Sequence, residues 1–401
     1  PHMDKQLIFL LVLVITLLVF AITVRRYAGY FKNTRKGFPV KQLGRRFGVM
    51  MEVAIGQTKI FRRPVMGLLH ALVFWGFLVI LIGSIEMIID GLFGTERVLS
   101  VLGGFYSFIM ASGDIFALII AIAILIFLFR RVFLHVKRFS GIEMKHISHL
   151  DANIALTMIL LLMVSLLGMN TFYILSATHA GHEVVGIYPI STMLAGFIDA
   201  GDGNHFWHEF NWWAHIGLIF VFANYLPYSK HFHVFMSVPN VFLSRLEPLG
   251  KLDTMESITR EVKIMMDPDQ AFASPPEGAE AEEEVPERFG IMDVEDVSWK
   301  NYFDSLACTE CGRCTSVCPA NTTGKLLSPR KIVMDVRARM KEKGPGLIKN
   351  GKEYSDERSL LRDYISEEEL WACTLCNACA QECPININHP SIIVGMRRYL
   401  V

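Results

Sequence analysis

The chain has 401 residues, 52% of them hydrophobic, and its 39 basic side chains balance 39 acidic ones at a formal net charge of zero. That balance argues against a nucleic-acid binder, which would be strongly basic. High hydrophobicity with even charge suits a chain that is part membrane and part water-soluble.

In chain order, Pro1-His2-Met3 reads as a cloning scar (residues 1–3) before a start at Met3. Apolar runs of the length that crosses a bilayer, about 20 residues, fall at 6–24, 65–89, 105–129, 152–175 and 209–228. The first transmembrane segment, 4–24, ends in Arg25 and Arg26 with no small-residue cleavage site, so it reads as a retained span. The loop 25–63 carries eleven Lys and Arg and one acid, Glu52, and the loop 130–150 carries five basic residues. The segment 176–208 carries none. The positive-inside rule then puts the N-terminus outside and the basic loops and C-terminus in the cytoplasm, for a multi-pass protein of the cytoplasmic (inner) membrane.

Histidines inside spans are expensive and therefore functional candidates. His70 lies just inside the second span, in "RRPVMGLLHALVFW"; His215 and His233 lie in or just beyond the fifth. The second span runs outward and the fifth inward, so His70 and His233 come level near the inner face. Two imidazoles facing across a bundle suit a six-coordinate haem b, with His231 as the alternative to His233. His215 and His233 are eighteen residues apart, five turns, and share a face if the helix continues through Pro227. For His215 two readings stand: a second, outer haem, for which Ile80 and Leu81 at the matching level of the second span offer no ligand, or a quinone pocket shared with His208, seven residues earlier on the same face. His179, His182, His205, His135, His146 and His149 read as loop residues.

Hydropathy collapses after Pro239, and residues 241–297 read as an acidic linker containing Glu282-Glu283-Glu284. Beyond it, "CTECGRCTSVCP" and "CTLCNACAQECP" repeat the spacing C-x2-C-x2-C-x3-C-P and use all eight cysteines. Reducing cytoplasm disfavours disulfides, and zinc sites pair two CxxC units without needing this form. The run is that of two-cluster ferredoxins, in which the fourth cysteine serves the other cluster. One [4Fe–4S] cluster is therefore expected on Cys308, Cys311, Cys314 and Cys383, the other on Cys373, Cys376, Cys379 and Cys318. Between the runs Ser328 reads as an N-cap before Pro329, and Ser366 with Glu369 as a capping box. Residues 298–395 thus read as a helical dicluster ferredoxin domain.

Residues 64–240 resemble the gamma subunit of respiratory nitrate reductase, a five-span cytochrome b, most clearly at "HIGLIFVFANYLPYSKHFHVFMSVP". His215, Pro227, His233 and Pro239 fall where that family has two haem ligands and its prolines, and His70 matches the first ligand of its second span. Ile80 departs from the family's fourth ligand. The whole chain looks like the first part of fused membrane oxidoreductases that include electron-transfer-flavoprotein:menaquinone oxidoreductases and relatives of heterodisulfide reductase. Those continue into cysteine-rich C-C-G domains; here no C-C-G occurs and no cysteine follows Cys383. The resemblance implies an all-α fold, a five-span bundle plus a cytoplasmic dicluster domain. It implies electron transfer between a cytoplasmic partner, either an electron-transfer flavoprotein or a C-C-G subunit, and menaquinone. Quinol-driven reduction of a cytoplasmic disulfide is the reverse reading, and a haem/iron–sulfur sensor or assembly anchor the reading of another class. No signalling domain follows the spans, which disfavours the sensor.

Overall fold

The computed structural model describes residues 2–252, 254–267 and 289–401, and among them the chain is helical with no strand. The run Glu282-Glu283-Glu284 and the rest of 268–288 within the acidic linker lie outside the described residues. Two compact units emerge, one from residues up to 28 and 51–237, the other from 29–50 and 238–401.

The first unit is built on α1 (His2–Lys32), α2 (Pro64–Phe93), α3 (Gly104–Val132) and α4 (His146–Ala180). These four are long and apolar enough to cross a membrane. Pro64 stands in the first turn of α2, where its missing N–H costs nothing, and Gly94 ends that helix at φ 68°. The fifth run folds as α5 (Asn204–Tyr225), 22 residues or about 33 Å of helix. It is less apolar than the four because His208, Glu209, Asn211, His215 and Asn224 punctuate it. Several of these are turned onto α4. His208 Nδ1–H donates to the Met169 carbonyl at 3.0 Å, and His215 Nδ1 lies 3.0 Å from Ser165 Oγ.

Small residues let the helices approach. A side chain at Gly91 would meet Phe9 at 2.7 Å, and one at Gly76 would meet Phe116 at 2.7 Å. Phe9 near the start of α1 meets Gly91 near the end of α2, while Lys5 pairs with Glu209 at 2.6 Å and the Asn224 amide donates to the Thr16 carbonyl at 3.3 Å. So α1 runs antiparallel to α2 and parallel to α5, and the start of α2 and the end of α5 share one end of the bundle. Ala117, Ile120, Ile124, Leu156 and Leu167 fill the core between α3 and α4, while α1 presents Leu11, Ile15 and Leu18 outward, a surface suited to lipid.

The continuous helix through His215 and His233 does not form. The helix α5 stops at Tyr225, and two short 3-10 turns, Leu226–Tyr228 and Lys230–Phe232, precede α6 (His233–Phe242). Pro227 supplies no N–H and fixes φ, which breaks the register between the two histidines. His146, His149 and His179 also differ from their expected place in loops, lying in the terminal turns of α4, and His205 lies in α5.

In the second unit the stretch 29–50, read from sequence as part of a basic loop, is structural. Arg35 pairs with Asp296 at 3.0 Å, and Arg46 donates to the Phe242 and Ser244 carbonyls at 3.1 and 2.6 Å. Phe31 packs on Tyr302 with ring centroids 4.9 Å apart. Residues 289–297, read as the end of the linker, are also part of this unit: Val294 and Val297 are fully buried.

Among the helices around the cysteine runs are α7 (Trp299–Ala307), α8 (Pro329–Asn350), α9 (Glu367–Trp371), α10 (Ala378–Glu382) and α11 (His389–Leu400). Both expected caps form. Ser328 accepts from the Lys331 N–H at the start of α8, and Ser366 and Glu369 make a reciprocal capping box on α9. Val333, Val336, Met340 and Leu347 of α8 recur on one face and are buried.

Candidate functional site: a duplicated cysteine frame and a polar cavity

Each cysteine run follows the last turn of a helix, α7 for the first and α9 for the second. The backbone then repeats a distortion. The second and fourth residues after the first cysteine take positive φ in both runs: Glu310 (58°) and Gly312 (72°), Leu375 (54°) and Asn377 (60°). Such positions cost about 1–3 kcal/mol each in non-glycine residues and persist only where surroundings enforce them. Their effect is to curl the chain back so that backbone N–H groups face sulfur. The Leu375 N–H points at Cys373 Sγ at 3.4 Å, and the Glu310 N–H does the same for Cys308.

The fold brings the cysteines together in crossed sets. Cys314 is crowded by Cys311, Cys308 and Cys383, and Cys383 in turn by Cys311 and Cys308. Cys379 stands among Cys373, Cys318 and Cys376, and those four line one small cavity with Pro319 and Pro390. Cys314 also feels Cys379, so the sets adjoin.

Burial pushes the Cys308 thiol up to about 11 and those of Cys379 and Cys383 to about 12, and the neighbouring sulfurs add to the shift. Thiolates are the ligand form, so such a donor set calls for a cationic core among the sulfurs. Among the described residues no three His, Cys, Asp or Glu side chains converge on a single ion.

Two residues that the sequence reading passed over complete the frame. Arg337 on α8 donates to the Ser305 and Cys308 carbonyls at 3.3 and 3.0 Å. Arg397 on α11 donates to the equivalent pair, Leu370 and Cys373, at 2.5 Å each. Each arginine stands nine residues past the N-cap of the helix following its run, Ser328 or Asn388, a spacing visible in the sequence.

The first unit holds a second candidate site. A cavity of about 970 Å³ lies at the end of the bundle away from His70, lined among others by Ile80, Glu86, Arg97, His208 and His215. Its volume is at the upper end of the range of small-molecule sites, about 300–1,000 Å³. His182 and His205 line it as well, and His179 pairs with Asp202 at 2.9 Å. Glu86 accepts from the Leu99 N–H at 3.0 Å and the Tyr106 hydroxyl at 3.2 Å. Arg97 stacks over Tyr173, 3.7 Å from the ring centroid, and bonds the Tyr188 hydroxyl.

The structure thus brings His208 and His215 to one cavity, each with Nδ1–H on a backbone carbonyl, Met169 and Leu162, both at 3.0 Å. At the other end, His70 sits on the first turns of α2. His233 opens α6 with Nδ1 3.3 Å from the Lys230 carbonyl and its ring 5.7 Å from that of His231. A ring whose Nδ1–H is held by a carbonyl presents Nε2 as a ligand, the usual support of metal-bound imidazole.

Residues 304–387 match the family model of the 4Fe-4S dicluster domain. The chain is 29% identical to a probable iron-sulfur-binding oxidoreductase, FadF, of Bacillus subtilis, over 99% of this chain and 56% of the relative. It is 27% identical to the EtfAB:quinone oxidoreductase of Syntrophomonas wolfei, over 87% of this chain and 48% of that protein. A shorter likeness, 32% over 24% of the chain and 47% of the relative, joins it to one subunit of a CoB-CoM heterodisulfide reductase of Methanosarcina acetivorans. The chain therefore spans about half the length of the curated relatives it matches. No solved structure matches it. Taken with the four apolar helices, these findings define a membrane protein with an iron–sulfur dicluster domain of the oxidoreductase kind.

Proposed function

We propose that this chain is the membrane-bound electron-transfer part of a quinone-linked oxidoreductase. It relays electrons between a cytoplasmic redox partner, an electron-transfer flavoprotein or a cysteine-rich C-C-G subunit, and the menaquinone pool. The observation that carries the reading is the crossed convergence of all eight cysteines in a unit joined to membrane-crossing helices. Cys308, Cys311, Cys314 and Cys383 would hold one [4Fe–4S] cluster, and Cys373, Cys376, Cys379 and Cys318 the other. His70 and His233 would hold one haem b at the cytoplasmic end of a five-span cytochrome b of the nitrate reductase gamma type, α5 being the fifth span.

The clusters and haem supply one-electron transfer when bound. The chain's own part is to fix their spacing, to shield the buried sulfurs from water, and to bind the quinone. His208 and His215, which line the 970 Å³ cavity, would donate or accept protons at a quinone ring bound there, with Glu86 as a further proton acceptor. We assign His215 to this pocket, since Ile80 offers no opposing haem ligand. The likeness to a heterodisulfide reductase favours, as second reading, quinol-driven reduction of a disulfide by the same relay. A redox titration of the purified full chain by visible and EPR spectroscopy tests the proposal. It predicts two [4Fe–4S] clusters and one low-spin haem; a single cluster, or no haem, would overturn it.

A further inference from the structure

The two cysteine runs repeat the same positive-φ pattern and the same arginine-to-carbonyl contacts, but the charge around their arginines differs. Arg337 is salt-bridged to Glu310, a buried carboxylate two residues after Cys308. Arg397 occupies the equivalent place beside Cys373, yet among the described residues no carboxylate pairs with it. It stacks instead on Trp371, 4.9 Å from the ring centroid. At the position matching Glu310 the second run has Leu375. Solvent access differs in the same sense. Cys308, Cys314 and Cys383 are buried and Cys311 half-buried, whereas Cys376 in the other set is exposed.

Cluster potentials respond to nearby charge, to hydrogen bonds at sulfur and to solvent exposure. Reduction adds negative charge, so an uncompensated cation and contact with water both stabilise the reduced form. Where a carboxylate cancels the cation, that stabilisation is lost.

We propose that Arg337 and Arg397 are paired positioning residues, one for each cluster, and that Glu310 makes them unequal, so that the second-run cluster beside Arg397 has the higher potential. The carbonyl bonds hold the first cysteine of each run in place; the net charge beside it sets the order in which the clusters reduce. The inference rests on the crossed ligand sets proposed above.

The test is an EPR-monitored redox titration of the full chain in detergent, the signals being assigned by which one Cys318→Ser removes. In the unaltered chain the second-run cluster should reduce first, with a reduced-to-oxidised ratio at least tenfold higher at any set potential, 59 mV for one electron. Glu310→Gln should raise the first-run cluster and narrow that gap at least threefold in the ratio, a change that loss of structural support would not produce. Arg397→Gln should lower the second-run cluster alone, and Arg397→Lys should largely restore it. Potentials unmoved in Glu310→Gln, or a first-run cluster that reduces first, would overturn the inference. Loss of the second-run signal in both Arg397 variants would overturn it too, making that arginine structural only. Failure to see two [4Fe–4S] signals in the unaltered chain would instead strike the underlying ligand assignment.

Discussion

Arg339→Ala should destabilise the cysteine-bearing unit by about 3 kcal/mol, at the lower end of the cost of removing one partner from a buried ion pair. The Arg339 side chain is fully buried on α8 and grips Asp293 with two bonds of 2.9 and 2.7 Å. It also meets Asp356 at 2.6 Å and the Arg358 carbonyl at 2.6 Å. The figure stays low because the carboxylates left behind keep other partners. Lys343 still reaches Asp293 at 2.8 Å, the Leu360 N–H donates to it at 3.0 Å, and Asp356 is partly solvated. For a unit of this size about 3 kcal/mol corresponds to roughly 6–12 °C in Tm. Thermal loss of the iron–sulfur absorbance would report it. Arg339→Lys should recover only part of the loss, because an ammonium cannot reproduce two bidentate pairs. A shift below about 2 °C for the alanine variant would refute the view that this network locks residues 289–297 onto α8, and with them the helix that carries Arg337.

Cys318→Ser should abolish the EPR signal of the cluster whose other ligands come from the second run, while the first-run cluster persists; loss of the first-run signal instead would refute the crossing. His70→Ala should remove the low-spin haem spectrum and His215→Ala should keep most of it, as judged by a pyridine haemochrome assay. Gly290→Ala should unfold or severely weaken the second unit in a thermal melt, since Gly290 holds φ +73° and a Cβ there would lie 2.4 Å from the Gly395 carbonyl oxygen. Burial alone would lower the Lys331 pKa, but hydrogen bonds to Asp335 and Glu369 outweigh it and the net shift is upward. Its stabilisation is therefore complete below about pH 10.4, the ordinary lysine value, and is lost as pH rises through the higher folded value. Lys331→Met should flatten that alkaline limb in a Tm–pH series.

The cysteine frame was legible in the sequence because ligand spacing is local. Ser328 and Ser366 were legible for the same reason: a cap is decided within four residues. What escaped depends on contacts distant in the chain. Nothing near Arg35 or Arg46 announces Asp296 or the Ser244 carbonyl as partners, so both arginines looked like ordinary inside-facing charges. The residues of α5 that weaken its apolar signal are in part those turned inward onto α4 and the cavity, contacts that no local pattern in the sequence displays. Pro227 was visible, yet whether it would kink or end the helix turned on the 3-10 geometry that follows it. Arg337 and Arg397 stood in plain view at matching distances from their caps, but only the folded frame reveals that each reaches back to the first cysteine of its run.

The most direct test of the relay is to reduce the full chain in lipid nanodiscs with stoichiometric dithionite under argon, add menaquinone, and follow the haem by visible absorbance and the clusters by EPR. Reoxidation of the haem and of both clusters, abolished in His70→Ala, is the predicted result. Clusters that stay reduced while menaquinone is in excess, in a chain shown to hold both, would contradict the account.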